Sequence, residues 1–440
     1  MSSESTLEGW GRRPVPGEEV RGEDLERLTE GAVLTRGLGR SYGDSSLPPP
    51  SVRRMPATPL ADRVLAFDPD SGVLRAEAGL ALREISRVFH PRNWTSPVMP
   101  GTSHITLGGM VAADVHGKEH HANGCFGEHV RSLRLRLADD RIVECSRERH
   151  PDLFRATLGG MGLTGHILEV EFALSPIDSP WVWGQTRKIA NIGEFLERLA
   201  AANDAWPYIV GWIDCLTTGA SMGRGVLHCG RWATADEAPA EPPPQKRKVT
   251  VPFEFPQFAL NRPFVRMFNW GLYTKQRALT EGILHPDPFF HPLDAISEWN
   301  RIYGPAGFTQ YQCVLPTAAG PDAPRRFLEL LTQLGGASFL CVIKSCGPEG
   351  TGMLSFPTAG TTLALDIAVR PDTQTIVDRL NEALIEMGGR IYLAKDMFTR
   401  AEHFRRMEPR LDAFLEVRSR WDPERRLRSA QSVRLMGDPE

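Results

Sequence analysis

Residues 100–126 read PGTSHITLGGMVAADVHGKEHHANGCF, and this stretch decides the fold. It holds five glycines and four histidines. The pattern fits neither a long amphipathic helix nor an alternating strand. Gly108 and Gly109 mark a backbone that must approach something closely, because glycine lacks a Cβ and tolerates φ > 0. Small residues follow (Ala112, Ala113), then a polar cluster of Asp114, His116, Lys118, His120 and His121. A glycine-rich backbone followed by convergent polar groups suggests a cofactor cradle with chemistry beside it. A glycine-rich surface loop with a solvated histidine patch is the competing reading, and the rest of the chain decides between them.

Two further glycine clusters flank it. Upstream, AVLTRGLGRSYGDSS predicts a strand over Ala32–Thr35 and then a turn through Gly37, Gly39 and Gly43. Two glycines spaced by one residue after a strand resemble a phosphate-binding turn. A dinucleotide-binding βαβ unit would run on into a long helix, but Pro48, Pro49 and Pro50 break any helix here. A nest of backbone N–H groups around a pyrophosphate survives as the reading. Downstream, LGGMGLTG supplies Gly159, Gly160, Gly162 and Gly165 ahead of a strand from Ile167 to Leu174. Between the clusters, Leu82, Ile85 and Phe89 fall on one face of a helix starting at Ala81. Val130, Leu133, Leu135 and Leu137 alternate in a hairpin closed by Asp139-Asp140.

At 440 residues, two domains are the default. Net charge is −3, so no bulk basicity points to nucleic acid. For Arg405, Arg406 and Arg410, and for Arg425, Arg426 and Arg428, a solvated helix face and an anionic-ligand contact are both open, the solvated face being favoured. Seven scattered cysteines without a CxxC indicate neither a zinc ribbon nor a disulfide framework. A reducing compartment fits, and the expectation is a cytoplasmic protein with no signal peptide and no membrane span. From about residue 178 the glycine clusters stop and tryptophans appear. Residues 235–250 are Pro-rich and charged, and read as a mobile excursion. Residues 251–310 are rich in aromatics, Phe258 among them. FTQYQCVLP (308–316) predicts a strand with Gln310 and Gln312 on one face and Tyr311 on the other. SFLCVIKSCG (338–347) and TTLALDIAV (361–369) are further strands, so this part is α+β.

Three glycine nests, in the order GLGRSYGD, PGTSHITLGG and GGMGLTG, resemble the FAD-binding domain of the vanillyl-alcohol-oxidase (PCMH-type) flavoenzymes. Adding FGEHVRS, FTQYQCVLP, LSFP and YLAKD in this order, the chain is similar to the decaprenylphosphoryl-β-D-ribose 2′-oxidase branch of that family. That branch supplies the flavin subunit of a pair that epimerises ribose to arabinose for cell-wall synthesis. The resemblance implies an α+β, two-domain fold. The FAD domain would span 1–177 and 390–440, with an α+β substrate domain inserted at 178–389. It implies an oxidoreductase that removes hydride from a secondary sugar hydroxyl to flavin N5, most fittingly the 2′-OH of a polyprenylphosphoryl ribose. The family's flavin-attachment histidine falls at Arg40, so the FAD would be held non-covalently. The expected partners are the sugar substrate, an NAD(P)H-dependent short-chain reductase and a peripheral membrane contact. A soluble sugar or alditol oxidase using oxygen and a flavin-binding subunit without turnover are the rival readings.

By the same resemblance, residues lining the cofactor would be Trp10; Arg36, Gly37, Leu38, Gly39, Arg40, Ser41, Tyr42 and Gly43; Pro100, Gly101, Thr102, Thr106, Gly108, Gly109, Ala112, His116, Gly117, Asn123 and Gly124; Gly160, Gly162, Gly165 and Ile167; and Lys395. Catalysis would fall to Lys395, Tyr42 and His116. Lys395 would act either as a base lowered in pKa by burial or as a charge stabilising flavin or substrate. A salt bridge to a carboxylate such as Asp396 is the structural alternative for it. Lys118, Trp212, Phe290, Gln310, Gln312, Lys344, Thr362 and Ala364 would line the substrate pocket. That pocket departs from the family pattern: its cysteine falls at Ala364, its asparagine at Thr362, a phenylalanine at Cys346 and a serine at Val210. His120 and His121 invite a metal by their spacing from His116, but no carboxylate set accompanies them, and no metal is expected.

Overall fold

The computed structural model describes residues 5–245, 248–256, 261–335 and 338–440. Residues 246–247 of the Pro-rich segment and Phe258 therefore lie outside the described residues. The chain first builds a five-stranded antiparallel sheet. Its strands are β1 (Val64–Asp68), β2 (Val73–Glu77), β3 (Val130–Arg136), β4 (Ile142–Ser146) and β5 (His166–Ala173), ordered β1-β2-β5-β3-β4. Alternation carries it: Val130, Leu133 and Leu135 face inward while Arg131 is exposed. Helix α1 (Leu82–Phe89) buries Leu82, Ile85 and Phe89 against this sheet's core, beside Leu74, Ala76 and Val170. Burying a side chain of this size contributes about 1.5–3 kcal/mol. The expected strand at Ala32–Thr35 does not form; a single bridge from Arg36 to Ala57 takes its place. Pairing stops there because residues 36–44 turn repeatedly, with Gly39 at φ +63°.

The second sheet has eight antiparallel strands: β6 (Val182–Ile189), β7 (Tyr208–Ile213), β8 (Gly225–Trp232), β9 (Leu279–Leu284), β10 (Phe308–Pro316), β11 (Cys341–Cys346), β12 (Gly360–Ala368) and β13 (Arg390–Ile391). Their order is β9-β6-β8-β7-β11-β12-β10-β13. One face is covered by α2 (Ile192–Asn203), α3 (Ala323–Gln333) and α4 (Thr373–Glu386), which pack Phe195, Phe327, Leu331 and Leu380 onto Ile343, Leu363 and Leu365. Strand β10 is buried on both sides. Tyr311 points to α4, where its hydroxyl donates to Asn381 Oδ1 at 2.9 Å, while Gln310 and Gln312 face the opposite way. The tail folds as α5 (Ala401–Met407), α6 (Leu411–Trp421) and α7 (Ala430–Met436), whose Phe404, Leu411, Phe414 and Leu435 pack with Leu163, Phe356 and Tyr392. Among the described residues no helix is long and apolar enough to cross a membrane.

Candidate functional site

The open face of the large sheet and the glycine loops of the first sheet enclose a cleft of about 1020 Å³. All three loops reach it, through residues 35–42, 99–118 and 161–167. Two glycine positions explain how they meet. A Cβ at Gly37 would sit 2.3 Å from Thr106 Oγ1, the hydroxyl that caps the short helix Leu107–Ala112 by accepting from Gly109 N. A Cβ at Gly43 would sit 1.7 Å from the carbonyl oxygen of Asp396. The first loop thus presses against the loop that carries Lys395, and Tyr42 N donates to Ala394 O across the contact.

The cleft lining is polar where the loops converge, and much of it lacks a partner. Arg36 Nη1, Arg40 Nε, Ser45 Oγ, Ser46 Oγ, Thr58 Oγ1 and His116 Nδ1 are buried without a hydrogen bond among the described residues. Buried polar atoms are ordinarily paired, so this set fits an elongated ligand rich in acceptors. Burial lowers the pKa values of Arg36 and Arg40. Arg40 lies 4.2 Å over the Trp10 ring. The donors, the bare glycine backbones and the length of the cleft together fit FAD.

At the far end the substrate-facing strands supply side chains. Lys395 Nζ lies 3.9 Å over the centre of the Tyr42 ring and has no carboxylate or carbonyl partner among the described residues. The alternative for Lys395, a salt bridge to Asp396, does not form, because Asp396 belongs to another pair: Arg434 of α7 bonds Asp396 at 2.9 Å and Asp44 at 2.7 Å. Burial pushes the Lys395 amine down to about 7, with Asp366 working against the shift and Lys344 adding to it. Asp366 accepts from Gln310 Nε2 at 2.7 Å and from the Tyr303 hydroxyl at 2.8 Å, and burial raises it to about 6. Gln312 Nε2 donates to His116 Nε2 at 2.9 Å, which places the imidazole proton on the unpartnered Nδ1. Burial keeps His116 neutral, its pKa well below the ordinary value. Lys118 donates to the Phe290 carbonyl at 2.8 Å, and burial brings it to about 7. Lys344 donates to the Gly117 carbonyl at 3.1 Å. Trp212 is held by its Nε1–H on the Phe339 carbonyl and lines the wall beside Val210 and Ala364. The Tyr42 hydroxyl stays protonated, since burial raises its pKa well above 10.

Six of the expected residues do not line the cleft: Gly43, Asn123, Gly124, Gly160, Phe290 and Thr362. Gly43 serves the loop contact described above. Asn123 donates to the Pro97 carbonyl, and Gly124 ends the helical turn His120–Asn123 at φ +71°. A Cβ at Gly160 would strike the Ala156 carbonyl at 2.1 Å, so this glycine packs against the end of the preceding helix, Pro151–Thr157. Phe290 sits in an aromatic cluster with Tyr208, Trp232 and Phe289 and reaches the site only through its carbonyl. The Thr362 hydroxyl is spent on the Cys313 carbonyl. His120 Nδ1 accepts from Gly347 N, and His121 bonds the Trp206 carbonyl.

Other lining residues carried no motif. Asp294 accepts from Thr102 Oγ1, Ser103 N and Ser103 Oγ, each at 2.7 Å, and so ties the second glycine loop to the opposite wall. Burial opposes its charge, but His291 and those hydrogen bonds hold the carboxyl below its ordinary value. His228 projects from β8 with Nδ1 3.0 Å from Thr186 Oγ1. Only distant chain segments meeting in space bring these residues here.

Comparison with known proteins agrees with the cofactor. A family model described as an FAD binding domain matches residues 29–146. Decaprenylphosphoryl-beta-D-ribose oxidase of Mycolicibacterium smegmatis is 32% identical, over 98% of this chain and 97% of that one. An uncharacterized Streptomyces coelicolor protein is 29% identical over 78% of this chain and 96% of its own. Cytokinin dehydrogenase 4 of Oryza sativa is 31% identical over 29% of this chain and 24% of its own. The chain is an FAD-dependent oxidoreductase and belongs to the decaprenylphosphoryl-β-D-ribose oxidase family.

Proposed function

We propose that this enzyme oxidises the 2′-hydroxyl of a polyprenylphosphoryl-β-D-ribose to the 2′-keto sugar. The observation that carries the reading is the half-buried, partner-free Lys395 amine at about 7, stacked on Tyr42 and facing the cleft. When bound, FAD supplies the two-electron acceptor that takes the hydride from the carbinol carbon. Arg36, Arg40 and the backbones of the glycine loops would hold its phosphates, and the contact around Gly43 fixes the loop that carries Lys395.

The alcohol proton leaves to Lys395 Nζ, which is half neutral near pH 7 and so poised as a base. The ammonium formed is stabilised by Asp366 and by the face of Tyr42. His116 donates from Nδ1, fixed in that tautomer by Gln312, and orients a sugar oxygen. Lys118 and Lys344, held on the Phe290 and Gly117 carbonyls, offer further donors to the substrate. The 2′-keto sugar then requires a separate NAD(P)H-dependent reductase to complete an epimerisation. Ala364 and Val210 leave the wall apolar and small, which accommodates a sugar without a hydrogen bond from that side.

The test is anaerobic bleaching of the flavin by a panel of polyprenylphosphoryl pentoses and free polyols. Bleaching by the lipid-linked ribose, with the 2-keto product identified by mass, is expected. Bleaching by free polyols alone, with fast reoxidation by air, refutes the substrate in favour of a soluble oxidase. Bound flavin that no sugar reduces refutes the enzymatic reading altogether.

A further inference from the structure

Among the described residues, eight of the eleven strongly exposed large apolar side chains come from one part of the sequence, residues 249–296. They include every strongly exposed Phe and Trp. The centre of the patch is the helix Arg262–Lys275, RPFVRMFNWGLYTK. Only Val265 and Asn269 of its 14 residues are buried. Asn269 pins it by donating to Asp214 Oδ1 and to the Ser338 carbonyl. Phe264, Met267, Phe268 and Trp270 are 45%, 61%, 47% and 57% exposed. A helix of this length gains little by itself in water and ordinarily needs an apolar face packed against something. Here the large apolar residues point outward instead.

The helix carries three basic residues, Arg262, Arg266 and Lys275, and no acidic one. Aromatic and aliphatic side chains mixed with unopposed cations describe a helix that lies in a membrane interface. Position supports that partner over others. Leu272 of the same helix lines the cleft, and so does Ile296, which pairs beside the exposed Val249. The exposed apolar groups thus stand along the rim where a lipid-linked substrate would enter.

We infer that the helix Arg262–Lys275 docks this enzyme on an anionic bilayer surface, with Phe264, Met267 and Trp270 in the acyl–headgroup boundary and the cleft rim facing the lipid. The choice of a bilayer over a second protein rests on the lipid-linked sugar reading. Delivery then needs no extraction of the polyprenyl tail into water: the tail stays in the lipid while the sugar phosphate rises into the cleft.

The experiment is co-flotation of the flavin-loaded protein with vesicles of phosphatidylcholine alone or mixed with phosphatidylglycerol, at low and high salt. The wild type is expected to float with the anionic vesicles and to be released by salt. The combined substitution Phe264→Ser, Met267→Ser and Trp270→Ser is expected to lower that binding by about tenfold or more. It should keep the flavin spectrum, since none of the three lines the cleft. Failure of the wild type to float, or equal binding by the triple variant, overturns the inference. So does a dimer in sedimentation that the triple variant dissociates, because the face would then be covered by a second copy. No sugar is present in this assay. Vesicle binding without sugar-dependent bleaching removes the substrate reading alone, and bleaching without vesicle binding removes the membrane face alone.

Discussion

Replacing Lys395 with Met keeps the length and bulk of the side chain and removes its amine. General-base catalysis by a positioned group is worth about 10²–10⁴-fold, so anaerobic flavin reduction should slow by that factor while the protein stays yellow. The pH dependence fixes the sign. The neutral amine is the base, so wild-type reduction should rise with pH to a plateau with a midpoint of about 7. At pH 6 only about a tenth of the amine is neutral, and the rate should be correspondingly lower. Stability rises with pH as well, but over a higher window than activity. The folded protein holds this lysine at about 7 against an ordinary 10.5. Between those values the unfolded chain binds the extra proton, so this group's contribution to stability rises with pH across that window. Its cost is fully present below pH 7, on the order of 5 kcal/mol. Lys395→Met should therefore raise the melting temperature, most at pH 6 and least near pH 10. Stopped-flow bleaching and thermal unfolding at several pH values check both halves. Wild-type-like reduction by the variant, or a wild-type rate that falls as pH rises through 7, refutes the base role.

Asp366 holds the Lys395 pKa up against burial, so Asp366→Asn should move the midpoint of the reduction–pH profile to lower pH; an unmoved midpoint disconnects the two residues. Gly37→Ala places a methyl 2.3 Å from Thr106 Oγ1, and the purified variant should carry less flavin, read from its visible-to-ultraviolet absorbance ratio. Asp294→Ala removes the acceptor of three hydrogen bonds from Thr102 and Ser103. Leaving such donors unmet costs about 1–3 kcal/mol, which should appear as a lower melting temperature and faster flavin loss on dilution.

Legibility followed the range of the physics. The glycine loops were readable because a nest is a local device: Gly37-Leu38-Gly39 and Gly108-Gly109 announce their backbone needs within a few residues. Strand β10 was readable to the residue, Phe308–Pro316, because alternation is also local. Lys395 was reached through its motif rather than its surroundings; nothing near it in sequence says that Tyr42 would lie under its amine. Asp294 and His228 went unseen because their partners lie more than forty positions away, at Thr102 and Thr186. The strand expected at Ala32–Thr35 failed for a related reason, since its apolar residues had no neighbouring strand to pair with beyond one bridge to Ala57. The helix Arg262–Lys275 escaped notice because its aromatics do not follow a core-facing period, and its buried stripe is only Val265 and Asn269.

Arg434 gives the ion triad with Asp44 and Asp396 a consequence for how the chain matures. Asp44 follows the first glycine loop, Asp396 follows Lys395, and the cation that fastens both comes later in the chain than either. Both sheets can form on a nascent chain before residue 434 has left the ribosome, but the loop around Lys395 lacks this ionic clasp until then. A chain stalled short of that point would present two structured parts and a slack catalytic loop. Assembly of a competent enzyme is thereby tied to synthesis through Arg434, and quality control that senses looseness near Lys395 would distinguish chains that carry this clasp from those interrupted before it.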